Sequence, residues 1–440
     1  MSIELSVDTL ARTESIAQES AILVGVYLEG EGKNTSPLAE LAGLAEAAGV
    51  HEVGRIIQRR QKPEGATYIG SGKLAELKEL IEAADADIVI FDNNLAPSQT
   101  KNLEQELKVK VIDRTELILD IFASRAQTME ARLAVELAQL EYAMPRLKRM
   151  WTHLERQAVG GVGLRGPGEK QLEVDRRLAQ KRIVDLKSDL RSIHERRRRE
   201  VSARKQYGAV SLVGYTNAGK STLLNRLTGS DVFVKDLLFA TLDTRTRRWS
   251  LPGWGPVLLS DTVGFIRDLP HHLIASFRAT LEEATQADLL LHVADATSPE
   301  VVHQIEAVFN VLTELGIREK DTLLVLNKID ALSPDGLYVL QEKYHGAVPV
   351  SARSGLGLEK LTAAVSDALS KEFLELTIEM SVSNGRLAAL LAKDGEVLSK
   401  QYTNETVSFH CRVPQHLFGL LRREQGITIH GAPEATVADW

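Results

Sequence analysis

The segment Gly214-Tyr215-Thr216-Asn217-Ala218-Gly219-Lys220-Ser221 fits the pattern G-x-x-x-x-G-K-[ST]. It lies between an apolar run, Ala209-Val210-Ser211-Leu212-Val213, and a helical pattern from Thr222 to Leu227. A strand that turns through such a loop into a helix is built to hold phosphate. Glycines let backbone N–H groups face phosphate oxygens. Lys220 neutralises the β- and γ-phosphates and is the first candidate catalytic residue. The Ser221 hydroxyl is a candidate Mg²⁺ ligand, and Thr222 continues the helix behind it. A plain glycine turn is the bland alternative, but three further motifs follow in nucleotide-site order.

Asp261-Thr262-Val263-Gly264 ends the apolar run Pro256-Val257-Leu258-Leu259-Ser260. A carboxylate there holds Mg²⁺ through water, and the Gly264 N–H can sense a γ-phosphate, which makes Gly264 a second catalytic candidate. Asn327-Lys328-Ile329-Asp330 ends the run Thr322 to Leu326. Asp330 can accept hydrogen bonds from guanine N1–H and N2–H₂. Adenine would leave that carboxylate unpaired, so the motif selects GTP over ATP. Ser351-Ala352-Arg353 follows Val348-Pro349-Val350 and is expected to offer backbone N–H to guanine O6. Phe239-Ala240-Thr241-Leu242-Asp243 falls where a switch loop belongs, and Thr241 is the candidate for closing the Mg²⁺ shell and completing the catalytic set. Each motif alone could be a polar strand end. Their order, each at a strand C-terminus, specifies a guanine-nucleotide domain.

Length and composition allow several domains. The 440 residues are 44% hydrophobic and 26% charged, as in a soluble globular protein. The single cysteine, Cys411, excludes an internal disulfide and suits a reducing cytosol. The start Met1-Ser2-Ile3-Glu4-Leu5 lacks a signal-peptide pattern, and no apolar stretch approaches the roughly 20 residues of a membrane span. A cytoplasmic monomer is therefore expected. The net charge of −7 is unevenly spread: residues 146–205 hold 18 Lys/Arg against 8 Asp/Glu, or +10, leaving −17 elsewhere. Such polarity presents one basic arm to phosphates.

Periodicity gives the organisation. Residues 1–113 alternate strand and helix patterns and read as a parallel α/β domain. Gly70-Ser71-Gly72-Lys73 within it lacks the flanking residues of a phosphate loop and reads as a glycine turn. Residues 114–205 read as two long helices, 114–146 and 172–205, joined by the glycine-rich stretch Val159 to Glu169. This is an antiparallel hairpin whose basic face, Arg196 to Arg199 included, is expected to meet RNA. A P-loop GTPase domain spans 206–372. A small α+β domain spans 373–440, with strands at 374–380 and 406–413 and a helix at 415–423. The fold class is thus α/β and multidomain.

The chain resembles the HflX family of translational GTPases. The resemblance rests on the phosphate loop through Thr222, on Phe239 to Asp243, on Asp261-Thr262-Val263-Gly264-Phe265, and on Gly166-Pro167-Gly168-Glu169-Lys170-Gln171-Leu172-Glu173-Val174-Asp175-Arg176-Arg177. The last lies outside the nucleotide domain and is the most specific. The family usually has Pro after the switch Leu-Asp, whereas Thr244 and Arg245 follow here, so a less rigid switch is expected. The resemblance implies GTP/GDP binding, Mg²⁺, and a partner in the 50S subunit and its 23S rRNA. It also implies the splitting of stalled or idle ribosomes, with the N-terminal region directed toward the peptidyl-transferase centre. A GTP-switched 50S assembly factor and a nucleotide-dependent RNA remodeller are the competing expectations. Many GTPases place a water-orienting glutamine where this chain has Phe265. K⁺ beside Asn217 and a ribosomal partner are two expected substitutes.

Overall fold

The computed structural model describes residues 16–28, 37–150, 167–203, 208–230, 238–239, 245–252, 255–267, 284–314, 316–317, 322–370, 373–403, 405–414, 418, 421–422, 424 and 426–431. The first strand, β1 (Ser20–Leu28), is apolar on both faces from Ala21 to Val26, as the centre of a parallel sheet must be. It lies between β2 (His51–Arg60) and β3 (Ile88–Phe91), and β4 (Lys110–Asp113) pairs with β3, giving the parallel order β2-β1-β3-β4. Alternation then sends Ile22, Val24 and Val26 to one face and Ala21 and Leu23 to the other. The first face is covered by α2 (Ser71–Ala84) and α3 (Pro97–Leu107). The second is covered by α1 (Ala39–Ala48) and by α4 (Arg114–Arg125). Gly70 is the residue before α2 rather than part of a free turn, and Lys73 pairs with Glu76 at 2.7 Å on that helix.

The single helix expected over 114–146 is two helices. α4 ends at Arg125 with Ala126 extended, and α5 (Met129–Met150) starts afresh because the Thr128 hydroxyl accepts the Ala131 N–H at 3.1 Å. The second arm, α6 (Pro167–Ala203), packs on α5 through Ala179, Ile183, Leu186, Leu190 and Ile193, a coiled-coil spacing. Arg182 grips Glu136 across the pair with two bonds of 2.7 and 2.8 Å. Arg196 to Arg199 fall in α6, while the joining residues 151–166 lie outside the described set.

The nucleotide domain has a six-stranded sheet in the order β10-β9-β8-β5-β7-β6. Its strands are β5 (Ala209–Gly214), β6 (Arg245–Leu251), β7 (Gly255–Asp261), β8 (Leu289–Asp295), β9 (Thr322–Asn327) and β10 (Val348–Pro349). All pair in parallel except β6, which runs antiparallel along the edge and carries Arg245, Arg247 and Arg248. The helices α7 (Lys220–Thr228), α8 (Val301–Glu314), α9 (Pro334–Lys343) and α10 (Leu358–Ser370) flank it.

The C-terminal unit is an antiparallel sheet in the order β12-β13-β11-β14, with α11 (Gly385–Asp394) packed on it. β11 (Phe373–Ser381) and β13 (Thr406–Pro414) lie at the two expected strands. β12 (Glu396–Tyr402), β14 (Ile427–His430) and α11 were not expected, and most of the helix expected over 415–423 lies outside the described residues. Among the described residues, no helix is long and apolar enough to cross a membrane.

Asp113 ties the sheet to the hairpin. It is 1% exposed, caps α4 by accepting the Glu116 N–H at 3.0 Å, and takes 3.1 Å bonds from Leu95 N–H and from Arg146 on α5. Removing it takes the only carboxylate paired with Arg146 among the described residues from a guanidinium that keeps the Tyr142 and Leu95 carbonyls at 3.1 Å and stacks over Tyr142 at 3.4 Å. The substitution Asp113→Ala is expected to cost about 3 kcal/mol, read as a lower urea midpoint. An unchanged midpoint would show that the root of the hairpin is held by its apolar contacts alone.

Candidate nucleotide site

The β-strand ends converge as the fold class requires. Gly214 closes β5, and residues 215–219 curl over the start of α7. Gly219 sits at φ 89°, where a Cβ would lie 2.4 Å from the Asn327 amide nitrogen. That contact is what closes the loop: the Asn327 amide donates to Ala218 O at 2.8 Å, and its carbonyl accepts the Ala352 N–H at 3.0 Å. One buried asparagine thus ties the phosphate loop, the Asn327–Asp330 motif and the Ser351–Arg353 motif together. Asp330 and Arg353 are exposed beside it, Ile329 is half-buried, and Ser351 and Ala352 are buried. The arrangement leaves the Asp330 carboxylate free to meet a base edge.

Lys220 is 7% exposed and donates to Gly214 O at 3.1 Å and Tyr215 O at 2.8 Å. Burial pushes its ammonium down to about 8, while the Asp261 carboxylate pulls the other way. Asp261 is fully buried, and the Ser221 hydroxyl donates to it at 2.5 Å. A hydroxyl and a carboxylate held together are the hard oxygen donors that Mg²⁺ takes, so the set fits that ion. Thr262, also fully buried, spends its hydroxyl on Leu212 O at 2.7 Å, and Thr222 is half-buried in α7. Asn217 is exposed at φ 59°, in the left-handed region that asparagine enters more readily than most side chain-bearing residues. Among the switch residues, Phe239 is described and buried, whereas Ala240, Thr241, Leu242 and Asp243 lie outside the described residues.

The segment after Asp261 lies on the phosphate loop. Phe265 N–H donates to Gly214 O at 3.0 Å and Thr216 N–H donates to Phe265 O at 2.7 Å. Gly264 is pressed so close that a Cβ would sit 2.8 Å from Thr216 Cα and 3.1 Å from Lys220 Nζ. Val263 and Phe265 are buried in a core that also holds Leu23, Leu41 and Phe122 of the N-terminal domain. Phe265 therefore serves packing and offers no hydrogen bond to water.

A second set of residues, which the sequence did not reveal, joins this loop to the N-terminal sheet. Arg114, 1% exposed, donates to Asp92 at 2.7 Å and also pairs with Glu40. Glu40 accepts the Tyr215 hydroxyl at 2.6 Å. The Tyr215 oxygen accepts the Arg267 N–H at 2.7 Å, and the Arg267 guanidinium returns to Asp92 at 3.0 Å. The result is a closed polar ring through five residues. Burial pushes the Tyr215 phenol up to about 12, so it stays a donor. Beside the ring, Phe239 N–H donates to the Thr216 hydroxyl at 2.8 Å, and the Phe239 ring meets Phe122 edge-on with centroids 4.7 Å apart. A cavity of about 340 Å³ opens here, and its walls include Glu40, Asp92, Tyr215, Asn217, Arg267 and Asp295. Phe239 and the segment from Val263 to Arg267 thus rest on the N-terminal domain. The available signals were weak: a charged residue at each strand end, and an arginine three positions past Gly264.

Three family descriptions match in succession: "GTP-binding GTPase N-terminal" over residues 35–123, "GTP-binding GTPase Middle Region" over 125–204, and "50S ribosome-binding GTPase" over 209–328. The GTPase HflX of Escherichia coli (strain K12) is 45% identical over 404 residues, covering 90% of this chain and 94% of that protein. The GTPase HflX of Lacrimispora saccharolytica is 43% identical, covering 92% and 96%. That of Alkalihalophilus pseudofirmus is 50% identical, covering 71% and 74%. A solved GTP-binding protein from Sulfolobus solfataricus in complex with GDP is 26% identical over 80% of this chain and 99% of that one, with a TM-score of 0.42. Identity of this depth across the N-terminal, middle and nucleotide regions alike means that the chain is a GTPase and belongs to the HflX family.

Proposed function

We propose that this GTPase binds the 50S subunit in the cytoplasm as a monomer, reaches 23S rRNA with its basic hairpin, and uses GTP to split stalled or idle ribosomes. The observation that carries this reading is the polar ring between the phosphate loop and the N-terminal sheet. A factor that does mechanical work needs a physical path from nucleotide to effector domain. Here Gly264 lies against Thr216 Cα and Lys220, on the side where a γ-phosphate must be sensed. Seating that phosphate requires residues 264–267 to lift. Lifting them stretches the Arg267–Asp92 and Arg267–Tyr215 bonds, so GTP loosens the grip of the N-terminal domain on the nucleotide domain. The matched description "50S ribosome-binding GTPase" supports the choice of partner.

In this reading Lys220 leaves its two carbonyl partners for the β- and γ-phosphates, and the Gly264 N–H meets the γ-phosphate. Ser221 and Thr241 would hold Mg²⁺, whose charge would help neutralise the phosphates. Asp330 reads the guanine edge and Lys328 lies along the base. Asn217, exposed at the cavity beside the loop, would be the residue that meets a K⁺ ion, a role its exposure supports.

Sucrose-gradient sedimentation of 70S particles tests the whole reading: a non-hydrolysable GTP analogue is expected to release free subunits and GDP is not. Intact 70S particles with every nucleotide would overturn it. Asp92→Asn weakens the ring from the N-terminal side, and is expected to raise affinity for the analogue about threefold relative to GDP; an unchanged ratio would uncouple the ring from the γ-phosphate. Asp330→Asn is expected to move preference from GTP toward XTP, because the amide no longer pairs with the guanine N2 amine, and equal GTP affinity in both proteins would remove Asp330 from base reading. Steady-state hydrolysis in matched KCl and NaCl is expected to be faster in KCl, with Asn217→Ala erasing the difference. Identical rates in both salts, with and without 50S subunits, would assign activation to the ribosome alone.

A further inference from the structure

We propose that Asp295 is a positioning residue for guanine-nucleotide binding, acting through Lys328. The inference rests on the Asn327–Asp330 loop being the base-reading loop, and it adds a partner from a different strand. Lys328 stands at φ 65° and ψ 28°, a left-handed conformation in which a side chain-bearing residue is strained and persists only when its surroundings hold it. The holding group is a carboxylate at the end of the neighbouring strand. Lys328 Nζ meets Asp295 Oδ2 at 2.7 Å, with the two side chains only 33% and 19% exposed.

Asp295 is itself fixed. Its other oxygen, Oδ1, accepts the Thr297 N–H at 3.0 Å and the Thr297 hydroxyl at 2.6 Å. The strand register sets Asp295 directly beside Asn327, and the Ala296 N–H donates to Asn327 O at 2.9 Å. The Asp295 backbone is therefore fixed against the asparagine that closes the phosphate loop, and Thr297 fixes its carboxylate. Asp295 lines the same cavity as Asn217 and Tyr215. Lys328 is thus stretched from the base-reading loop to the cavity wall, with its aliphatic stem between the two. A lysine released from Asp295 would sample many rotamers, and ordering it again would fall on the nucleotide.

Both Asp295 carboxylate oxygens are engaged, Oδ1 by Thr297 and Oδ2 by Lys328, so its effect reaches the nucleotide through Lys328 and governs affinity for the nucleoside as such. It leaves the choice between GDP and GTP, and between guanine and xanthine, where they were.

The test is binding of a fluorescent GDP and a fluorescent non-hydrolysable GTP analogue to the full chain, with Asp295→Asn, Lys328→Ala and the double substitution. Asparagine keeps the shape and an oxygen for Thr297 but loses the charge for Lys328. The expected result is an affinity loss of about tenfold for both nucleotides with Asp295→Asn, a similar loss with Lys328→Ala, and no further loss in the double variant. The GTP-to-XTP preference is expected to stay at the wild-type ratio. Additive losses, a loss confined to the GTP analogue, or wild-type affinity in Asp295→Asn would each overturn the proposal. A structural role alone is separated by thermal melting of the nucleotide-free proteins. A melting point that falls in Asp295→Asn, with Lys328→Ala unaffected in both melting and affinity, would assign Asp295 to the turn and against positioning.

Discussion

The Arg114–Asp92 pair is the contact on which the arrangement of the two α/β domains depends. Both side chains are almost completely buried, and a buried charge without a partner is expensive enough to dictate where its partners go. Arg114 has five N–H donors in a rigid fork, and one carboxylate does not exhaust them. Glu40 takes a second set from within the same domain, and Arg267 O, from the nucleotide domain, sits 3.4 Å from the same guanidinium. Asp92 in turn accepts from Tyr27 at 3.1 Å and from Arg267. Satisfying the N-terminal charges thus requires the nucleotide domain to be present and in register. Buried ion pairs of this kind are weak sources of net stability. Their effect is to reject the wrong docking geometry, since a shift of a few ångströms strands several polar groups at once.

The place of the ring in the fold follows a general rule. In an open parallel sheet the strand C-termini expose backbone N–H groups and helix N-termini, so polar side chains collect there. Tyr27, Asp92, Asp113 and Arg114 all lie at that edge of the N-terminal sheet. An α/β domain of this kind offers that edge to a ligand. In this protein the edge receives part of a neighbouring domain, the Arg267 side chain and the Tyr215 hydroxyl.

What was legible in the sequence divides along the same line. The phosphate loop, Asp261–Gly264, Asn327–Asp330 and Ser351–Arg353 stand out in the sequence because each is a run of consecutive residues at one strand end. The β-strands of the first domain were readable because their apolar runs are uninterrupted. The polar ring was not, since its members are 74 residues apart at Arg114–Glu40 and 175 apart at Tyr215–Glu40 and Arg267–Asp92, and no local spacing marks them. The break between α4 and α5 was missed because Ala126-Gln127-Thr128 contains no glycine or proline, and only the Thr128 cap ends the run. In the C-terminal unit α11 escaped notice because its sequence, Gly385 to Asp394, follows a polar turn and is only ten residues long.

Tyr215 shows why a motif can be recognised without being understood. The pattern G-x-x-x-x-G-K-[ST] leaves its position free, because the backbone there, not the side chain, faces phosphate. In this chain the free position carries a phenol, 6% exposed, with its hydroxyl between Glu40 and Arg267. The backbone of one residue therefore lines the phosphate site while its side chain belongs to the domain interface. Its carbonyl is bonded to Lys220 at 2.8 Å, so the residue that must reach the phosphates and the residue that grips the other domain are joined directly. In the proposed mechanism Lys220 turns toward phosphate, and that carbonyl keeps only the Ala218 N–H, 3.3 Å away. The coupling proposed above would need no long pathway, because the carbonyl that Lys220 holds and the hydroxyl that Glu40 and Arg267 hold belong to one residue.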